Sequence, residues 1–174
     1  MIVGSMARRG LVLFLLAAAV LFVPSRASAA GVPVLQATDK QKEGARSVYD
    51  KGKEALTEKK YDSAAQYFRI SYNLVASPNT HMMLIRALVE LGRVGEAYRE
   101  CEALVPEATA AAKGDPKYTN ALNAAGAMLK ALSTKAAFIK VVIAADVVQQ
   151  DTTLSIGGRE VERDRWVLPR AVNP

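Results

Sequence analysis

With 174 residues, 51% of them hydrophobic and 23% charged, the chain holds one ordinary domain or two small ones. Its formal charge of +6 falls to +3 once Arg8, Arg9 and Arg26 of the first thirty residues are set aside. No cluster of Lys and Arg falls on one face of what remains, which excludes a nucleic-acid binder. The single cysteine, Cys101, excludes an intramolecular disulfide, and one histidine without companion ligands excludes a metal centre.

Residues 1–30 have the three-part layout of a secretory signal peptide. Arg8 and Arg9 make a positive start, Leu11 to Val23 is an apolar run, and Ala27-Ser28-Ala29 supplies an A-x-A site. The run has 13 residues, short of the roughly 20 that span a bilayer, which weighs against a retained anchor. Membrane contact is therefore expected only if this segment stays uncleaved. Arg8-Arg9 also raises a twin-arginine signal, but no cofactor motif follows that would require folding before export, so the general secretory route is favoured. The periplasm or cell envelope is the expected destination. Residues 31–38, with Pro33 and no periodicity, read as a disordered leader.

Residues 39–135 read as helical. Thr38 or Asp39 can cap a first helix, in which Ala45, Val48, Gly52, Ala55 and Leu56 share one face until about Lys59. Tyr61, Ala64, Ala65, Phe68, Ser71, Tyr72 and Val75 form a second stripe, closed by Ser77-Pro78. A third helix starts at Asn79, with Met82, Ile85, Leu88 and Leu91 on its stripe and Gly92 at its end. The fourth carries Val94, Ala97, Tyr98, Cys101, Leu104 and Val105, and is expected to kink at Pro106 and continue through the helix-favouring run Ala108–Lys113. Asp115-Pro116 restarts the chain as a fifth helix with Tyr118, Ala121, Leu122, Ala125, Leu129 and Leu132 on one side. Two stacked hairpins need neighbours to bury their core, and the fifth helix can cap the open end.

After residue 136 the periodicity changes to that of strands. Phe138 to Ala144 and Thr153 to Ile156 are apolar and β-branched, Gly157-Gly158 is a two-residue hairpin turn, and Trp166 to Leu168 reads as a further strand. Short strands without a completed sheet leave an open edge, so residues 136–174 read as a small, incomplete antiparallel β domain. The fold class is mainly α: two antiparallel helix hairpins, a capping helix and a small antiparallel β region.

Ala64 and Ala97 are 33 residues apart, as are Tyr61 and Val94, close to the tetratricopeptide period of about 34. Residues 45–105 resemble tetratricopeptide repeats, with Gly52, Ala64, Phe68 and Pro78 in the first copy and Gly92 and Ala97 in the second. Ser71 stands where alanine is usual, Pro78 comes two residues late, and Ile85 and Cys101 depart from the second copy's pattern. Residues 137–174 resemble the opening of a PEGA-type β domain, whose apolar-x-apolar-x-Gly-Gly pattern is matched by Leu154, Ile156, Gly157 and Gly158, although the naming tetrapeptide is absent. The combination is similar to envelope proteins of Gram-negative bacteria, myxobacteria among them. It implies a periplasmic scaffold or adaptor that binds protein and has neither catalytic activity nor cofactor.

The same resemblance implies that the first helix of each pair lines a concave face. That face would carry Arg46, Tyr49 and Lys53 beside Asn79, Met82 and Arg86. Basic and amide donors around an aromatic ring suit a protein or peptide partner with acidic side chains or a C-terminal carboxylate. The competing reading makes Arg46, Lys53 and Arg86 a solvated helix face and Met82 a core residue. His81, at a helix start, reads as a surface residue, and Cys101 as a small buried hydrophobe. One His and one Cys assemble no catalytic triad, and Gly157-Gly158 lacks the lysine of a phosphate loop. Two alternatives stand beside the adaptor: a structural envelope component whose β domain contacts peptidoglycan or the outer membrane, and the regulatory end of a longer protein.

Overall fold

A computed structural model describes residues 31–142, 153–156, 158–166 and 168–173. The signal-peptide reading of residues 1–30 lies outside them, as does part of the strand expected over Phe138–Ala144. The described chain is mainly helical, with a small antiparallel strand region at its C-terminal end. Five helices follow one another: α1 (Asp39–Thr57), α2 (Tyr61–Leu74), α3 (Pro78–Glu90), α4 (Val94–Gly114) and α5 (Thr119–Ser133).

Local chemistry sets the helix ends. Thr38 and Gln41 form a reciprocal capping box at the start of α1. Lys59 (φ 60°) and Gly92 (φ 72°) take left-handed conformations that turn the chain back after α1 and α3. Pro78 occupies the first turn of α3, where its missing N–H leaves no helical bond unmade. α4 continues through Pro106 as one helix to Gly114. Asp115 Oδ1 accepts the Lys117 amide at 3.1 Å, and a 3₁₀ turn over Pro116–Tyr118 leads into α5.

Each helix packs on the next, and α3 lies between α2 and α4. Phe68, Leu84, Ile85, Leu88 and Leu104 are fully buried, and Ala64 and Ala97 are both 0% exposed. These two alanines let the hairpins close, and the apolar area they help seal is the main stabilising contribution. Gly52 faces Phe68 so tightly that a Cβ would lie 2.7 Å from the ring. Gly52→Ala is therefore expected to destabilise by about 1–3 kcal/mol, the usual cost of overpacking, despite the gain in helix propensity. Urea unfolding of the two proteins measures it, and equal midpoints would refute the tight packing. Ser71 is buried because its hydroxyl donates to the Ala45 carbonyl of α1 at 2.8 Å.

Residues 31–38, expected as a disordered leader, are instead built into the fold. Strand β1 (Val32–Pro33) pairs in parallel with β2 (Val75–Ala76). Val75, read as part of the second helical stripe, thus belongs to a strand. The Val34 amide extends the pairing to the Ala76 carbonyl at 3.0 Å. Ala37 joins Ala45 and Val75 in a small apolar cluster flanked by Val32 and Val34. Burial of these side chains offsets the chain entropy that a free leader would keep.

At the other end, β3 (Ala137–Ile139) pairs antiparallel with β6 (Arg170–Val172), and β4 (Leu154–Ile156) with β5 (Arg159–Val161). The expected hairpin lies between β4 and β5, with Gly158 at φ 74°. The expected strand at Trp166–Leu168 is absent among the described residues. A 3₁₀ turn over Arg163–Arg165 precedes it, and the buried Trp166 indole donates to the Val161 carbonyl at 2.8 Å, drawing the chain back onto the hairpin. The extended segment begins only after Pro169. β6 then lies against α4, where Asn173 Oδ1 accepts the Gly95 and Glu96 amides at 2.9 and 3.2 Å. Those amides open α4 and have no helical acceptor of their own, so the cap comes from residues almost eighty positions away.

Candidate functional site

Arg46, Tyr49 and Lys53 recur at i, i+3 and i+7 on α1, and Asn79, Met82 and Arg86 repeat that spacing on α3. Such spacing puts each trio on one helical face. Arg46, Tyr49 and Asn79 come together along a groove of about 260 Å³. Its floor contains Ala45, Ser71 and Val75, and Lys42 adds a second cation at the rim. No Asp or Glu lines it among the described residues.

Tyr49 is the hinge of this face. Its ring packs on Phe68 with centroids 5.5 Å apart, and Lys53 Nζ lies 5.9 Å from its centroid. Burial is the main cause that raises the phenol pKa; the neighbouring Asp50 charge adds to it, and the positive charge of Arg86 opposes it. Arg86 thus flanks the same aromatic ring. Lys53 also reaches Asp50 of its own helix at 4.0 Å, and Arg86 Nη1 is 3.8 Å from Met83 Sδ. Met82 lies apart from the groove, half-buried against the main core.

A second assembly, buried between α2, α3 and α4, has no counterpart among the expected sites. His81, expected at the surface, is 1% exposed. Its Nδ1 lies 2.7 Å from Glu107 Oε2 and its Nε2 3.2 Å from Glu100 Oε2. The Tyr72 hydroxyl donates to the same Glu107 oxygen at 2.7 Å. Arg69 reaches Glu96 at 2.9 Å and Glu100 at 3.6 Å, and Arg93 closes the group by pairing with Glu96. The burial of His81 has a simple origin. Pro78 and Ser77 place it in the first turn of a helix covered on two sides, and it points at α4 where Glu96, Glu100 and Glu107 share one stripe.

Burial alone would lower the His81 pKa. The hydrogen bonds that the ring donates to Glu100 and Glu107, with the charges of those carboxylates, outweigh it and lift the pKa to about 9. At neutral pH both ring nitrogens therefore carry protons and donate. An imidazolium braced at both nitrogens offers no lone pair to a substrate or a metal. Burial would likewise raise Glu96, but the Arg69 hydrogen bond and the Arg93 and Arg69 charges hold it below the usual carboxylate range. Tyr72 is pushed upward first by burial and then by its bond to Glu107, so it stays protonated.

Cys101 is fully buried, its Sγ 3.3 Å from the Ala125 carbonyl, and burial chiefly pushes its thiol up to about 11. A thiol so placed is a core side chain and a poor nucleophile. Among the described residues no group of three His, Cys, Asp or Glu side chains could hold a metal ion, and no helix is long and apolar enough to cross a membrane.

Gly52, Ala64, Phe68, Pro78 and Ala97 all occupy buried positions between helices, whereas Gly92 is exposed at the turn after α3. No protein-family model, curated protein or solved structure matches the chain at a significant level.

Proposed function

We propose that this protein is a non-catalytic adaptor of the cell envelope, and that its tetratricopeptide-like hairpins hold an extended segment of another protein. The observation that carries the reading is the α1/α3 groove, with Lys42 and Arg46 at the rim, Asn79 across it, Tyr49 in its wall and no acidic residue lining it among the described residues. An acidic side chain or a terminal carboxylate entering there gains charge-assisted hydrogen bonds from donors on rigid helices. The tyrosine face supplies apolar area beside them at a low cost in side-chain entropy. Export to the envelope rests on the three-part leader of residues 1–30.

Isotope-labelled protein titrated with oligo-glutamate and oligo-lysine peptides tests this. Oligo-glutamate should shift the amides of Ala45, Arg46, Tyr49 and Asn79, and oligo-lysine should leave them unmoved. Lys42→Glu with Arg46→Glu should weaken the binding by about a hundredfold, from two rim charges reversed at roughly 1–1.5 kcal/mol each. The circular dichroism spectrum should stay unchanged, since both side chains are exposed. Equal response to the two peptides, or binding that survives the double change, would remove the groove as the site.

A further inference from the structure

Arg99 on α4, Arg165 in the 3₁₀ turn after β5 and Arg170 on β6 line one cavity of about 330 Å³ between α4 and the C-terminal segment, within the roughly 300–1,000 Å³ usual for small-molecule sites. The three are scattered in the sequence, and the docking of β6 on α4 brings them together. Each stands on braced backbone. The Arg99 guanidinium donates to the Ala171 carbonyl, and Arg170 faces Ile139 across the β3–β6 pair. The turn that carries Arg165 is fastened by the Trp166 indole on Val161 and by the Leu168 amide, which donates to the Arg165 carbonyl at 3.2 Å.

The charge of this cavity is unbalanced. Neither Arg165 nor Arg170 has an ion-pair partner among the described residues. Two acids also reach the wall. Glu100 is committed to His81 at 3.2 Å and to Arg69 at 3.6 Å, and Glu102 is exposed to water. Guanidiniums gathered without matching carboxylates repel one another. An anion between them removes that repulsion and gains charge-assisted hydrogen bonds.

We propose that this cavity binds the phosphate group of a small phosphate ester, with Arg165 and Arg170 donating to different oxygens and the charge of Arg99 beside them. A tetrahedral dianion presents oxygens in several directions, which suits guanidiniums arriving from separate elements. A carboxylate offers two oxygens in one plane and a single charge. Leu168, exposed at the same cavity, gives apolar contact to the group that the phosphate esterifies. The site shares no residue with the α1/α3 groove and stands or falls without it.

The test is a titration of the isotope-labelled full-length chain with glycerol 3-phosphate and with acetate, at fixed ionic strength and about pH 7.5, where a phosphate ester is close to doubly charged. Glycerol 3-phosphate should give saturable shifts at the amides of Ala103, Arg165, Arg170 and Ala171, and acetate should bind at least about tenfold more weakly. Arg165→Glu changes an exposed side chain and leaves the fold intact. It should weaken glycerol 3-phosphate by at least about tenfold, and Glu102→Gln should tighten it. Lys130→Gln, on the exposed side of α5, should alter nothing. Dihexanoyl phosphatidic acid, kept monomeric, separates the two sources of the group. A tighter hold on it that Leu168→Ser removes assigns a phospholipid head group, and affinity equal to that of glycerol 3-phosphate assigns a soluble ester. Absence of shifts at those amides, equal affinity for acetate, or unaltered binding in Arg165→Glu would overturn the proposal.

Discussion

Alanine in place of Gly95 should destabilise the protein by about 2–3 kcal/mol and release residues 170–173 from α4, although alanine is the better helix former. Gly95 is the second residue of α4, and a Cβ there would penetrate the Val172 carbonyl and stand 2.6 Å from the Asn173 nitrogen. The neighbouring atoms are backbone, held by the pairing of β6 with β3 and by the Arg99 guanidinium, which donates to the Ala171 carbonyl. They cannot swing aside as the tip of a side chain would. The segment must leave or the helix must shift. Leaving forfeits the Asn173 cap, about 1 kcal/mol, and shifting costs about 1–3 kcal/mol of overpacking. Gly126 provides the control. It sits on an exposed face of α5, where an added Cβ would meet nothing within 4 Å, so Gly126→Ala should stabilise by about 0.5–1 kcal/mol. Amide exchange across residues 137–139 and 170–172 measures the release directly. Parent-like exchange and stability in Gly95→Ala would show that the C-terminal segment does not rest on α4 as described.

The contrast between those two glycines shows what a sequence reveals and what it withholds. Helix spacing marks Gly52, Ala64 and Phe68 because their partners lie on the next helix, within one repeat period. Arg46, Tyr49 and Asn79 were expected on one face only through the resemblance to tetratricopeptide repeats, and α1 and α3 bring these three along one groove. Gly95 gave no such signal, since the group that demands a glycine there arrives from the far end of the chain. The two-residue strands β1 and β2 were equally silent. They are too short for any alternation, and Val75, three residues after Tyr72, extends the helical stripe in sequence. Met82 followed the rhythm of the groove face yet turned into the core, because α3 is covered on two sides and its apolar arc is wider than one stripe. That second covered side also swallowed His81. The signal that could have found it was present in Glu96, Glu100 and Glu107, one stripe of acids on a helix that otherwise turns small and apolar residues inward.

The stability of the fold should fall as the pH rises from about 6.5 to about 9, and His81 is the cause. Its folded pKa stands near 9, above the ordinary histidine value of 6.5. A group raised in the folded state contributes fully below its unfolded pKa and loses that contribution as the pH passes its folded one. The shift corresponds to about 3 kcal/mol at full effect. Every charged group around the ring favours the imidazolium or balances its neighbours. Glu100 and Glu107 face it from α4, Tyr72 from α2, and Arg69 and Arg93 are engaged by Glu96 and Glu100. Tyr72 does not compete, since its hydroxyl is held protonated beyond this range. Deprotonation would leave two part-buried carboxylates sharing one imidazole N–H. His81→Gln keeps an uncharged donor in the site and removes the titration. It should lower stability at pH 6.5 by about 3–5 kcal/mol, as loss of one member of a buried ion pair does, and it should flatten the profile between pH 6.5 and 9. Urea midpoints at pH 6.5, 8 and 9 for the two proteins decide the matter. A parent profile already flat, or a slope that persists in His81→Gln, would mean that the imidazole does not carry the charge on which this buried cluster depends.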